Sequence, residues 1–359
     1  MNRKPQGVLR RGWSTGACAA AAARAAYQAL LTGTFPDPVT IRLPKGETPT
    51  FSLAKKILED GAATASIIKD AGDDPDVTHG ALIEARICPG PVGAGITFHA
   101  GTGVGTVTKP GLPIPPGEAA INPGPRALIR EMLSEVAVAN DAVPDVAVIL
   151  SIPDGERIAA RTWNPRLGIV GGLSILGTTG IVIPYSCSAW IHSIRQGIDV
   201  ARATGVGHIA GATGKTSEAA VRRVHGLDDA AIIDMGDFVG GMLKYLDGHP
   251  IPRLTIAGGF AKLTKLAQGH LDLHSSRSQV DFTKLARMAS GLGGTQSLAD
   301  AVRTANTASE VLEIAAGLPL GDAIATAARA SAMARLSGDV ALDVLVVDRK
   351  GRSVGYVGP

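Results

Sequence analysis

The chain has 359 residues, 45% hydrophobic and 19% charged, with a net charge of +3. That length supports more than one compact unit, and with no basic block or aromatic–basic interleaving the electrostatic footprint of a nucleic-acid binder is excluded. Cys18, Cys88 and Cys187 are too few and too scattered for a disulfide framework or a Cys-x-x-Cys site, so they read as reduced, buried thiols.

Residues 1–13 carry Arg and Lys, but no apolar core follows them. The next apolar run is alanine-rich and interrupted by Arg24, which predicts neither a signal peptide nor a membrane span, and hence a cytoplasmic protein without a membrane partner. Ser14-Thr15-Gly16 before the alanine run is a helix start and Gly33 a stop, giving a helix over 17–31. A helix N-terminus attracts carboxylates or phosphates, although the plain cap is the simpler reading of these residues. Residues 39–43 alternate apolar and polar and end at Pro44, as a strand does. Further strands are expected over 64–68, 81–87, 95–99 and 103–108, then a helix over 123–138 opening on Pro-Gly-Pro, and a strand over 145–152.

From about residue 163 the rhythm alternates. Helices over 188–203, 216–224, 238–246 and 261–266 separate strands over 206–210, 230–234 and 254–257. That is the rhythm of βαβ units with a parallel sheet. Residues 281–336 read as largely helical, and 340–347 with 353–357 as a β-hairpin around Asp348-Arg349-Lys350-Gly351. The fold class is therefore α/β. An α+β domain is expected over 1–160, with the alanine-rich helix and a mixed sheet. A Rossmann-like α/β domain is expected over 161–359, with a helical segment and the C-terminal hairpin.

Several motifs could carry chemistry. Lys69-Asp70-Ala71-Gly72-Asp73-Asp74-Pro75-Asp76-Val77-Thr78 is an acidic loop that leaves an apolar strand without the spacing of an EF-hand. It suits a cation, a sulfonium or a base, and competes with a solvated turn. Gly101-Thr102-Gly103-Val104-Gly105, Gly171-Gly172 and Gly177-Thr178-Thr179-Gly180 allow close backbone approach but miss the dinucleotide fingerprint. Gly214-Lys215-Thr216 ends like a phosphate-binding loop, yet Ile209 stands where that loop needs its first glycine. A nucleotide-dependent phosphotransferase is the rival enzyme reading there. His270 and His274 are four apart, but Leu271 replaces the zincin glutamate, so no metal site is expected. Lys262 and Lys265, three apart on a helix, would grip carboxylates together.

Taken in order, these pieces resemble a known family. Ser14-Thr15-Gly16-Ala17-Cys18 and the acidic loop are similar to the opening of the cobalt-precorrin-5B C1-methyltransferase (CbiD) family. The likeness continues through Gly103-Val104-Gly105-Thr106-Val107-Thr108-Lys109-Pro110-Gly111 and Pro116-Gly117-Glu118-Ala119-Ala120-Ile121-Asn122-Pro123. Asn164-Pro165-Arg166-Leu167-Gly168-Ile169-Val170-Gly171-Gly172, Ile175–Val182, and Lys262–Ala267 with His274-Ser275 close the set. It departs at Pro184-Tyr185-Ser186-Cys187, where the family pattern is more acidic, and carries little beyond Asp281.

The resemblance implies methyl transfer from S-adenosylmethionine to C1 of cobalt-precorrin-5B, giving cobalt-precorrin-6A in cobalamin biosynthesis. The partner is then a small-molecule corrinoid precursor, a homo-oligomer is left open, and the non-enzymatic rival is a tetrapyrrole carrier. It further implies a catalytic loop of Lys69, Asp70, Asp73 and Asp74, its acids set near the cationic donor or deprotonating the substrate. Gly171, Gly172, Gly177, Thr178, Thr179 and Gly180 would hold the cofactor. Thr15, Lys109, Glu118, Asn122, Arg166, Lys262, Lys265 and His274 would hold the carboxylate-rich macrocycle.

Overall fold

A computed structural model describes residues 7–359, so the reading of a leaderless start over 1–13 falls partly outside the described residues. The chain divides into two units, one ending at Cys187 and one spanning Ser188–Pro359. The boundary lies later than the expected 160/161. The intervening residues pair back onto the first unit: Ile169–Val170 with Thr106–Val107, Gly172–Leu173 with Gly103–Val104, and Ile181–Val182 with Gly12–Trp13. Backbone hydrogen bonds, which leave no trace in local composition, decide where those residues belong.

The first unit is built on the alanine helix α1 (Thr15–Thr32). Ser14 caps it by accepting from Ala17 N at 3.1 Å, and Gly33, at φ 78°, ends it with its N–H on Ala29 O. Ala17–Ala23, Ala25, Ala26 and Ala29 are all 0% exposed, Cys18 among them, so the helix is central and not amphipathic. Side chains of one methyl let the backbone lie close to its neighbours on both sides. Those neighbours are α2 (Pro123–Ala139) and a five-stranded sheet, with strands β1 (Lys55–Glu59), β2 (Ala62–Ile68), β3 (Leu82–Pro89), β4 (Ile96–Ala100) and β5 (Val146–Ser151). The spatial order is β1-β2-β3-β5-β4, antiparallel except for the parallel β5–β4 pair. In β3, Ile83, Ala85 and Ile87 are buried while the alternate residues are partly exposed, as period-2 pairing requires. β1 had no sequence signal. Only Val39–Thr40 of the strand expected over 39–43 is regular, paired with Thr50–Phe51.

The second unit carries a sheet of β6 (His208–Ala212), β7 (Ile232–Asp234), β8 (Arg253–Gly259), β9 (Ala341–Val347) and β10 (Ser353–Val357). Its order is β7-β6-β8-β9-β10, parallel up to β9 and closed by the antiparallel β9–β10 hairpin. β8 and β9 are buried along nearly their whole length, as strands covered on both faces are. Helices α3 (Cys187–Ala203), α4 (Lys215–His225), α5 (Val239–Gly248) and α6 (Phe260–Ala267) alternate with the strands. The predicted helical segment is α7 (Phe282–Gly291), α8 (Gln296–Thr304), α9 (Ala308–Ile314) and α10 (Leu320–Met333), the first three capped by Asp281, Thr295 and Thr307. No helix among the described residues is long and apolar enough to cross a membrane.

Candidate active site

The acidic loop leaves β2 at Lys69 and returns to β3 at Ala81, closed by Lys69 N on Ala81 O (2.9 Å) and Gly80 N on Lys69 O (2.8 Å). Lys69 is 1% exposed and its Nζ donates to Asp76 Oδ2 at 2.6 Å. Thr78 donates to the other oxygen through N (2.8 Å) and Oγ1 (2.7 Å). Burial would lift the Asp76 carboxyl, but the Lys69 charge and these hydrogen bonds outweigh it and hold it below its ordinary value.

Residues 10–13 press on the outer side of the loop. Arg10 grips Asp70 with both guanidinium nitrogens, and the carboxyl falls to about 2, from the Arg10 hydrogen bond first and the Gly72 N–H second. Arg10 N also donates to Asp73 Oδ2 at 2.6 Å. Trp13 N donates to Asp70 O, and a Cβ on Gly72, at φ 67°, would stand 2.2 Å from Arg10 O. The glycine in the loop is there for that contact between backbones.

Asp74 differs from its neighbours. Its Oδ1 accepts the Tyr185 N–H at 2.8 Å, and burial, the largest influence, raises its carboxyl pKa. Tyr185 holds a positive φ of 56°, an unusual conformation for an aromatic residue. A half-buried carboxyl whose pKa is raised is a proton acceptor better matched to work toward neutral pH than Asp70 or Asp76, which their partners hold down. Tyr185 lies in the stretch where the family pattern breaks, and its backbone N–H serves a role that any residue type could supply.

The segment 175–182 crosses the N-termini of α1 and α2. Ser14 N reaches Gly180 O, Gly16 N reaches Leu176 O, and Asn122 N, at the start of α2, reaches Ile175 O. The starts of α1 and α2 thus share one loop, whose carbonyls take up backbone N–H groups at both helix ends, while Pro123 and Pro125 bring none to α2. Thr15, expected to touch substrate, is 2% exposed and spends its hydroxyl on Leu176, accepting from N at 3.0 Å and donating to O at 3.1 Å. Most of the glycines expected to open the backbone to a cofactor are spent on packing instead. A Cβ on Gly172 would meet Gly103 O at 2.1 Å, on Gly177 the Ser14 Oγ at 2.2 Å, and on Gly180 the Leu43 Cδ2 at 2.5 Å. Gly171 and Thr178 are exposed, and Thr179 bonds locally to Ile181.

Among the expected macrocycle contacts in this unit, Glu118 is paired with Arg126 at 2.8 Å. Lys109 lays its stem over Gly168, Arg166 stacks 5.4 Å from the Trp163 ring, and Asn122 makes no side-chain capping bond. The structure therefore groups Lys69, Asp70, Asp73 and Asp74 in one loop. Arg10, Asp76 and Tyr185, to which the sequence reading gave no role, are their hydrogen-bond partners.

In the second unit the strand order places a switch point between β6 and β8, whose C-terminal ends lead into Thr213-Gly214-Lys215 and Gly259-Phe260. Lys262 Nζ sits there, 3.0 Å from both Thr213 O and Asp237 Oδ1. Asp237 follows β7, and sequence spacing gave no hint of it. Lys265 does not share this task. It is buried, its Nζ donates to Leu273 O at 2.9 Å, and burial lowers its pKa. His274 is exposed and bonds Ser276 locally, Nδ1 to Oγ at 2.7 Å. Lys215 and Thr216 open α4 from exposed positions. Of the three cysteines only Cys18 is buried, its thiol pushed up to about 12 by burial, so the expectation of three buried thiols fails for Cys88 and Cys187.

Residues 2–184 match the family model described as CbiD, and residues 272–358 the one described as CbiD, C-terminal domain. The cobalt-precorrin-5B C(1)-methyltransferase of Paramagnetospirillum magneticum is 62% identical, over 97% of this chain and 98% of its own. Its namesake in Brucella anthropi is 59% identical, over 97% and 96%. A crystal structure of the cobalamin biosynthesis protein (cbiD) from Archaeoglobus fulgidus is 30% identical, covers 76% of this chain and 84% of that one, and has a TM-score of 0.42.

Proposed function

The chain belongs to the CbiD family, and on that premise we infer that it is a cobalt-precorrin-5B C1-methyltransferase of cobalamin biosynthesis, a cytoplasmic enzyme that forms cobalt-precorrin-6A. The methyl donor is read as S-adenosylmethionine, which supplies a sulfonium methyl for in-line displacement by carbon. Such a transfer needs positioning and charge control more than a covalent nucleophile.

The observation that carries this reading at the level of residues is the divided acidic loop. Asp70 and Asp76 are neutralised by Arg10 and Lys69, whereas Asp74 alone is lifted by burial. Asp74 is the residue that takes a proton from the substrate, Lys69 and Asp76 hold the loop in shape, and Arg10 fixes Asp70 and Asp73 at its outer side. In the second unit, Asp237 follows the second strand, where a doubly wound sheet reads the ribose hydroxyls of a nucleoside, which makes that crevice the seat of the donor's adenosyl group.

Calorimetric titration with S-adenosylhomocysteine, run beside ATP, tests the reading. Saturable binding of the former alone, weakened about 10-fold or more by Asp237→Asn, is expected. Binding of ATP in its place would overturn it in favour of a phosphotransferase, and macrocycle binding without any dependence on the donor in favour of a carrier.

A further inference from the structure

At the N-terminal end of the second unit's parallel strands, opposite the crevice at their C-terminal ends, three potential ligands converge from separate elements. His208 begins β6, His225 ends α4, and Asp343 lies near the start of β9. One ligand atom from each falls within 4.8 Å of the other two. The Asp343 side chain is 0% exposed and that of His225 is 8% exposed. His225 Nε2 and Asp343 Oδ1 face each other at 3.4 Å, and neither has a hydrogen-bond partner. Buried polar atoms are seldom left so, and two of them aimed at one point call for a third body between them.

We propose that His208, His225 and Asp343 form a structural binding site for a first-row divalent cation of the zinc type. Ligands at zinc distances on a tetrahedron stand about 3.3 Å apart. The His225–Asp343 separation of 3.4 Å already has that value. All three atoms lie within 4.8 Å of one another, so closing the triangle takes a movement of no more than about 1.5 Å. The supporting contacts are in place. Arg253 holds the other carboxylate oxygen, Oδ2, through Nε at 3.0 Å and a terminal nitrogen at 2.9 Å, leaving Oδ1 for the ion. Thr255, 0% exposed, bonds His208 Nε2 at 2.7 Å and orients that ring. Because Arg253 offsets the one carboxylate, charge alone would not attract an oxygen-seeking ion such as Mg2+, and selection falls to the two imidazoles. The ion ties the end of α4 to β6 and β9 and takes no part in the methyl transfer.

Equilibrium dialysis of the untagged, chelator-stripped chain against Zn2+ and Mg2+ tests this site apart from the activity. One Zn2+ per chain is expected, with no uptake of Mg2+. His225→Gln and His208→Gln should each weaken Zn2+ binding by more than the 10–100-fold that loss of an outer-shell partner costs. Zn2+ should raise the thermal midpoint of the wild type by about 5 °C and leave that of His225→Gln unchanged. Absence of Zn2+ binding by the wild type, or undiminished binding by both variants, overturns the proposal. X-ray absorption of the zinc-loaded wild type guards against a variant that fails to fold: two imidazoles around the metal support the site, and a shell without them refutes it.

Discussion

The ammonium of Lys69, 1% exposed, lies 2.6 Å from Asp76 Oδ2, so the acidic loop is organised around a buried cation. The pair joins the end of β2 to the return toward β3. Removing one partner leaves the other charge poorly solvated. Lys69→Met is expected to destabilise the first unit by about 3 kcal/mol, while Lys69→Met/Asp76→Leu loses much less than the sum of the single changes. Urea unfolding of the three variants measures that coupling, and additivity would show that the contact carries no net energy.

Asp74→Asn keeps an oxygen for the Tyr185 N–H but removes the base. The kcat should fall by about 10²–10⁴-fold with KM little changed. Because burial raises this carboxyl, activity in the wild type should fade on acidification at a higher pH than an unperturbed aspartate would give, and that limb should vanish in the variant's residual rate. The sign for stability is opposite to that of an ion-paired acid. A raised carboxyl pKa contributes stability below its unfolded value and loses it as pH rises through the folded one, so Asp74→Asn should be the more stable protein at neutral pH. A pH–rate profile and a thermal melt test the two statements separately.

Arg10→Ala should release Asp70. Its carboxyl is held at about 2 chiefly by Arg10, and without that partner its pKa should rise toward the ordinary value, with the Gly72 N–H still pulling it down. Since the folded pKa is depressed, the stability linked to Asp70 is present above the unfolded value and is lost as pH falls toward about 2. Carbon-detected NMR titration of the aspartates reads the shift, and an Asp70 signal that does not move would place the cause in the loop backbone.

Gly177→Ala should disrupt packing. At φ 124° and with Ser14 Oγ 2.2 Å from the added Cβ, the change strains the backbone and displaces the cap of α1. A loss of about 2 kcal/mol is expected, with binding of S-adenosylhomocysteine unaltered in the protein that remains folded. Weakened binding at full stability would return this loop to the cofactor.

The capping and patterning of the chain were legible from its residues. Ser14 and Gly33 bracket α1, the alternating half reads as a parallel sheet, and the closing hairpin lies where the turn residues put it. β1 was missed because Lys55–Glu59 is an edge strand with no buried face of its own, four of its five residues being exposed. The acidic loop was also legible as a place where chemistry collects. The division of labour within it was not, because Arg10 and Tyr185 approach from 60 and 111 residues away.

By itself the sequence determined the family, the α/β class and the loop on which its acids sit, since these depend on local spacing and on residue types in order. Only the tertiary structure brought Leu176 to Thr15, Leu273 to Lys265 and close neighbours to Gly172, Gly177 and Gly180, put the boundary after Cys187, and set Asp74 apart from Asp70 and Asp76. A carboxyl's proton affinity and a glycine's purpose are set by whatever lies within a few ångströms, and in this chain those neighbours come from distant parts of the sequence.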